Sequence, residues 1–415
     1  MSRKEIFVYA DWQGMAKPTL IGTLFVDIIR GREVFSFEYD DNWLSSHSYS
    51  FFDPDLSHYT GRQYLPNQKS LFGIFTDSCP DRWGRTLMKR REAIAAKEEA
   101  RQVRTLLESD YLLGVDDFCR TGALRFKLNP KGAFLSDSDN PIPIWTDLRA
   151  LEQSALFLDS DTQNTASEKK CLKMLLSPGS SLGGARPKAT VSALDGSLWI
   201  AKFPSKKDSA DVGAWEMVVH ELALSAGLNV PSAKCEQFSK YGSTFLVKRF
   251  DRNNIGKRVH YISAMTVLGK SDGDSDSTSY LDIANAVRQY GVNVQTDLAE
   301  LWSRIAFSIA VGNSDDHLRN HGFILTDKGL RLAPMFDVNP NPDANGLSLN
   351  IDENSNSLDF ELLLSVAPYF DLSEDAASDI VFRIRNVVSD WQTVAKHYHI
   401  SSREQSEYSP AFERI

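Results

Sequence analysis

The segment Asn313-Ser314-Asp315-Asp316-His317-Leu318-Arg319-Asn320 constrains this chain more than any other, because Asp315 and Asn320 stand five residues apart and Asp337 follows Asn320 by seventeen. Phosphoryl transfer needs a carboxylate to accept the attacking hydroxyl's proton, and an amide and a second carboxylate to hold Mg²⁺ on the phosphates. Between the two halves, His321–Thr326 and Arg331–Ala333 read as short strands around the turn Asp327-Lys328-Gly329. That hairpin returns Asp337, in Ala333-Pro334-Met335-Phe336-Asp337, toward Asp315 and Asn320. Alone, the Asp/Asn pair is what an ordinary polar turn also offers, since both side chains bond nearby backbone. The upstream half of the chain separates the two readings.

Around Ser177–Lys188 the chain is dense in glycine and serine, and Gly183, Gly184, Ala185, Arg186, Pro187 and Lys188 form a candidate phosphate loop. Glycine lets backbone N–H groups reach phosphate oxygens, and the two cations add charge. It is not a Walker A loop, for G-x-x-x-x-G-K-[ST] is missing. Ala189–Leu194 and Ser197–Phe203 predict a hairpin about Asp195-Gly196, with Lys202 in the second strand. Asp211 predicts the cap of a helix running to Gly227, whose first turns carry Glu216, placed to pair with Lys202. A second hairpin, 232–238 and 243–250 about Tyr241-Gly242, ends in Lys248, Arg249 and Phe250, a linker whose backbone suits a purine edge. Glycine loop, strand lysine, helix glutamate, linker, D-x4-N and metal Asp stand in protein-kinase order. Each has a bland reading singly; six in one order do not. Gly179-Ser180-Ser181-Leu182-Gly183 also fits the G-x-S-x-G nucleophile elbow. That elbow needs a strand before and a helix after, whereas Lys169–Leu176 reads as helix and a hairpin follows, so a serine hydrolase is set aside.

At this point the sequence resembles the HipA-like serine/threonine kinases of bacterial toxin–antitoxin modules. The resemblance rests on SSLGGARPKA (180–189), Leu198–Phe203, Arg249-Phe250-Asp251-Arg252, the Asp315 loop and MFDVNP (335–340). Upstream, DSCPDRWGRTLM (77–88) and TGALRF (121–126) resemble the family's N-terminal subdomain. The resemblance implies an α+β, two-lobed protein-kinase-like core, with an N-terminal α+β subdomain (1–128), a nucleotide lobe (144–250) and a mainly helical C-terminal lobe (255–405). It implies Asp315 as catalytic base, Asn320 and Asp337 as Mg²⁺ ligands and Lys202 as the phosphate lysine. His317 joins the ATP-binding set and Ser181 is the counterpart of a serine that is autophosphorylated. It implies ATP and Mg²⁺ as cofactors and a protein substrate, aminoacyl-tRNA synthetases being known targets of the family. A small helix-turn-helix antitoxin is the expected partner, with DNA contacted only through that complex. A small-molecule kinase and a vestigial antitoxin-binding corepressor are the competing functions. The chain departs from the family at Lys248, where Glu is usual, and at Asp316, where a small residue is usual. Asp316 is expected either to tighten Mg²⁺ binding or to be solvated.

Composition sets the outer limits. At 415 residues and 42% hydrophobic, the chain can bury two or more cores. A net charge of −9 makes it a poor nucleic-acid binder by itself. The start MSRKEIFVYADW lacks the apolar core of a signal peptide and no long apolar run exists, so a cytoplasmic protein with no membrane span is expected. Cys79, Cys119, Cys171 and Cys235 are scattered, without C-x-x-C, and read as free thiols. Asp272, Asp274 and Asp276 invite an EF-hand, but Ser277 and Ile283 stand where Gly and Glu are needed. His317 and His321 lack H-E-x-x-H, so zinc is not expected; His317 is expected to brace its loop. Helices are predicted over 82–113, 261–269, 279–290, 296–311 and 373–396, and strands over 5–9, 20–27, 33–39 and 122–127.

Overall fold

In the computed structural model, alternation of apolar residues builds the first sheet. It describes residues 3–47, 53–66, 69–135, 142–159, 165–176, 184–273 and 278–414. Contacts divide the chain into two compact units, Met1–Lys206 with Arg249–Ile262, and Lys207–Lys248 with Ser263–Ile415.

In the first unit, β1 (Lys4–Ala10), β2 (Thr19–Ile29) and β3 (Arg32–Tyr39) form an antiparallel meander. Ile6, Val8 and Ala10 of β1 point inward at 0% exposure, the period-2 pattern of a half-buried strand. After α1 (Asp41–Ser46) come β4 (Arg62–Tyr64), α2 (Gly73–Thr76), α3 (Arg82–Glu98), α4 (Glu108–Leu113) and β5 (Leu124–Lys127). The sheet order is β4-β3-β2-β1-β5. The helix predicted over 82–113 is two, because Ala100 takes φ 51° and Arg101–Leu107 is irregular. Then α5 (Leu148–Leu158) and α6 (Thr165–Leu176) precede the hairpin of β6 (Lys188–Ser192) and β7 (Leu198–Lys202), where Lys188 faces Lys202.

The second unit opens with α7 (Val212–Ser225), capped by Asp211 through Ala214 N at 3.1 Å. The hairpin of β8 (Ala233–Ser239) and β9 (Gly242–Lys248) follows. Past β10 (Tyr261–Ser263) lie α8 (Ala264–Val267), α9 (Tyr280–Tyr290) and α10 (Val294–Val311). The helix expected over 261–269 is therefore a strand and a single helical turn: Tyr261 and Ile262 favour strand, and Ser263 accepts from Thr266 N as a new cap. α10 is the core of this unit, with Leu298, Leu301, Trp302, Ile305, Phe307 and Ile309 all at 0% exposure. Each such side chain contributes about 1.5–3 kcal/mol of burial. β11 (Gly322–Thr326) and β12 (Gly329–Leu332) pair antiparallel. α11 (Phe360–Ser365), α12 (Glu374–Val388), α13 (Trp391–His397) and α14 (Ser402–Tyr408) complete the unit. The C-terminal segment braces α7: Trp215 stacks on Tyr408 at 4.4 Å, and Glu404 accepts from Trp215 Nε1 at 2.9 Å and Asp211 N at 2.8 Å.

All four cysteines are free, Cys79 and Cys119 buried, Cys171 and Cys235 half-buried. No helix among the described residues is long and apolar enough to cross a membrane.

Candidate active site

The loop that carries Asp315 starts where α10 stops. Gly312 caps the helix at φ 63°, and a Cβ there would lie 3.0 Å from Asn341 O and 3.1 Å from Ala411 O. Only glycine fits both the left-handed turn and the contact. The next residues are fixed by their own side chains. Asn313, 1% exposed, donates to Ser308 Oγ at 3.3 Å and accepts Asn339 N at 3.3 Å. Ser314 Oγ accepts from Asn341 Nδ2 at 2.7 Å, and Asn341 N bonds Gly312 O at 3.2 Å. Asn339 and Asn341, just after Asp337 in the chain, are thereby stitched to 312–314, just before Asp315.

Within the loop, Asn320 Nδ2 donates to the carbonyl of Asp315 at 2.8 Å. The backbone of His317 bridges the same two residues, its N–H to Asp315 O at 3.1 Å and its carbonyl from Asn320 N at 2.8 Å. The bracing expected of His317 is therefore made by its main chain. Asp315 is exposed, whereas Asn320 is 6% exposed. Asp337 sits at φ 59°, in the left-handed region that a non-glycine residue enters at a cost. Such strain is kept where the surroundings over-determine it. Here Arg304 Nη2 holds Ala333 O at 2.8 Å, Met335 N bonds Asn229 O at 2.8 Å, and Ala333 N bonds Gly322 O at 2.8 Å.

Asp316 is not solvated. It is 4% exposed, receives Tyr280 OH at 2.7 Å, and lies 2.9 Å from His321 Nε2. Burial alone would raise its carboxyl; the proximity of His321 and the bonds from His321 and Tyr280 outweigh that and hold it below the usual carboxylate range. Burial, with Asp316 alongside, drives the Tyr280 hydroxyl far above its ordinary value.

The other candidates divide between the units. In the first, Ser181 and Gly183 fall outside the described residues. Gly184 takes φ 83° with Lys188 Nζ close by, Ala185 is exposed, Arg186 half-buried and Pro187 buried. Lys188 is 3% exposed and its Nζ lies 3.1 Å from Asp81 Oδ2, the cap of α3. Trp83 Nε1 also bonds Lys188 O at 3.2 Å. Lys202 is 9% exposed at the end of β7. Arg249 turns inward: its guanidinium bonds Asp251 at 2.8 and 2.6 Å and Cys119 O at 2.7 Å, while its N–H bonds Leu198 O at 2.9 Å. Phe250 leans on Tyr261 at 5.7 Å. In the second unit, Glu216 is 4% exposed on α7, and Lys248 is half-exposed with its N–H on Ser232 O at 2.8 Å.

The donor chemistry suits Mg²⁺. Asn320 and Asp337 offer hard oxygens, and Mg²⁺ on a nucleotide takes one or two protein oxygens, the phosphates and water supplying the rest. No group of three or more His, Cys, Asp or Glu fit for a metal occurs among the described residues. Sequence reasoning missed Tyr280 and Ser308 as partners of Asp316, and Asp81 as partner of Lys188. One signal was available: Asp316 and His321 each follow a motif residue by one.

Residues 180–391 match the family described as "HipA-like C-terminal domain". A Sinorhizobium fredii protein named "Putative kinase Y4mE" is 27% identical over 243 residues, 52% of this chain and 50% of that protein. The "Serine/threonine-protein kinase toxin HipA" of Shewanella oneidensis is 25% identical over 142 residues, 30% of this chain and 33% of its own length. The chain spans about half the length of the first curated relatives it matches. Among solved structures, the complex of HipA, HipB and operator DNA from Shewanella oneidensis MR-1 is similar with a TM-score of 0.67 at 18% identity, covering 99% of this chain and 95% of that one. That likeness establishes the fold, and the expected α+β kinase-like class holds.

Proposed function

This chain belongs to the HipA-like kinase family, and from that premise we propose that it transfers the γ-phosphoryl group of ATP to a serine or threonine hydroxyl of a protein. The observation that supports the reading is the loop of the second unit, in which Asn320 is tied to an exposed Asp315 and the segment following a strained Asp337 bonds the residues that precede Asp315. Asp315, open to solvent at the head of the loop, takes the proton of the attacking hydroxyl. The hydroxyl oxygen bonds the γ-phosphorus as the bond to the bridging oxygen breaks, and that electron pair leaves on ADP. Asn320 Oδ1 and the Asp337 carboxylate would hold Mg²⁺, which when bound neutralises charge on the phosphates. Lys202 offers a cation from a rigid strand, and Glu216 from α7 is its proposed partner. Gly183 to Lys188 would cover the phosphates, and Lys248 to Phe250 would border the purine.

We further propose the role of a toxin, switched off by a phosphate on Ser181. Such a group adds about −1.5 to −2 charge beside the ATP phosphates. The relative whose structure is a complex with HipB and operator DNA motivates the antitoxin as partner. The test is incubation with Mg·ATP and lysate protein, followed by mapping of phosphoserine and phosphothreonine. Asp315→Asn serves as the control. Phosphate on metabolites alone makes it a small-molecule kinase. Equal toxicity of wild type and Asp315→Asn makes it a binding protein.

A further inference from the structure

Asp316 and His321 stand one residue beyond Asp315 and Asn320, and their side chains lie against each other. The Asp316 Oδ1 to His321 Nε2 distance is 2.9 Å, with both residues under 5% exposed. The pair closes the loop a second time, beside the Asn320 to Asp315 bond of 2.8 Å. It is moored from outside the loop at three points. Tyr280 OH, from the first turn of α9, reaches Asp316 Oδ2 at 2.7 Å, and Ser308 Oγ, from α10, lies 3.4 Å from the same oxygen. The carbonyl of His321 accepts from Ala264 N of α8 at 2.8 Å. The Tyr280 ring meets the His321 ring edge-on at 5.6 Å.

We propose that Asp316 is a positioning residue, which through His321 and Tyr280 fixes the separation of Asp315 from Asn320. This rests on the phosphoryl-transfer reading given above. A carboxylate so placed spends its contacts on Tyr280, Ser308 and His321, within the protein. Three helices, α8, α9 and α10, are thereby tied to one loop. A shift of about 1 Å between a base and the group it serves costs on the order of a hundredfold in rate.

The test uses the full chain carrying Asp316→Asn, His321→Ala, His321→Gln or Tyr280→Phe. Asp316→Asn and His321→Ala should each lower kcat about 10- to 100-fold and leave KM for ATP within about threefold, the mark of a group that orders the reacting atoms. His321→Gln keeps an N–H donor and should recover part of the loss; Tyr280→Phe, the mildest change, should lower kcat least. The second readout is backbone amide exchange at Asn320, expected to quicken about tenfold in Asp316→Asn while β11 is unchanged. Wild-type kcat in Asp316→Asn overturns the proposal. So does a loss restored by raising Mg²⁺, which makes Asp316 a ligand. Unchanged exchange at Asn320 overturns it whether or not phosphate is transferred. A wild-type protein that transfers no phosphate counts against the proposed function alone, and exchange still judges the positioning role. If Asp316→Asn does not fold, Tyr280→Phe and His321→Gln carry the same comparison.

Discussion

Asn320 donates its side-chain N–H to the backbone carbonyl of Asp315 at 2.8 Å, which ties the candidate metal-binding amide to the candidate base. The donor is engaged, so the amide oxygen is the atom available to a cation.

Asn320→Asp separates the two functions. It keeps an oxygen for Mg²⁺ and loses the donor, and it sets a carboxylate against a carbonyl. Mg²⁺-dependent nucleotide binding should persist while transfer falls about a hundredfold. Asn320→Ala should lose both. Calorimetry with and without Mg²⁺, beside a transfer assay, distinguishes the variants. Full turnover in Asn320→Asp would take the loop tie out of the mechanism.

Asp337 combines a ligand role with φ 59°. Asp337→Ala and Asp337→Gly should both abolish the Mg²⁺ dependence of nucleotide binding. Their stabilities should differ, because only alanine keeps the left-handed penalty of about 1–2 kcal/mol. Thermal unfolding should therefore rank the glycine variant above the alanine one. The reverse order would show that the turn relaxes once the carboxylate is gone.

Local pattern carried the reading where local forces decide. The hairpin that delivers Asp337 follows from a turn tripeptide between apolar runs, and α7 follows from an aspartate cap and an apolar stripe. Breaks inside long helical patterns were harder to see. The helix expected over 373–396 is α12 and α13, parted at Ser389 and Asp390, where Ser389 Oγ turns back to Asn386 O at 2.7 Å. Buried charge was hardest. Lys188 finds Asp81, and Asp316 finds Tyr280 36 residues earlier, through packing that no spacing records.

Asp53 sets a pH dependence on the first unit. It is 4% exposed, and burial pushes its carboxyl up to about 7, against the bonds it accepts from Ile74 N and Asp55 N. The folded state thus holds a proton that the unfolded state releases near pH 4. Stability is present in full below that value and is lost as pH rises through about 7. The loss is on the order of 4 kcal/mol. Asp53→Asn should flatten the curve between pH 4 and 7 in urea titrations. An unchanged slope would mean Asp53 is charged throughout.

Asp251 is the keystone of the segment that leads from Lys248 past Phe250. Its carboxylate is 3% exposed and accepts from Arg249 Nε at 2.8 Å, Arg249 Nη2 at 2.6 Å, Arg252 Nη1 at 2.9 Å and Gly122 N at 2.8 Å. Burial would raise its carboxyl, but Arg249 and Arg252 hold it well below the usual range. Asp251→Ala strands two buried guanidinium groups side by side and leaves the Gly122 N–H unpaired. The expected loss is about 3–5 kcal/mol, a large share of the 5–15 kcal/mol typical of a folded domain. Asp251→Asn keeps an acceptor for Gly122 and should lose less. Exchanging Asp251 and one partner for apolar residues, Arg249→Met with Asp251→Leu, should recover part of the deficit, since of the two guanidinium groups only that of Arg252 is then left without its carboxylate. Urea unfolding of the four proteins tests the order. If Asp251→Ala lies within about 1 kcal/mol of wild type, or the double variant is worse than Asp251→Ala, the arginines have water or another anion to turn to, and Asp251 is not what holds this segment in place.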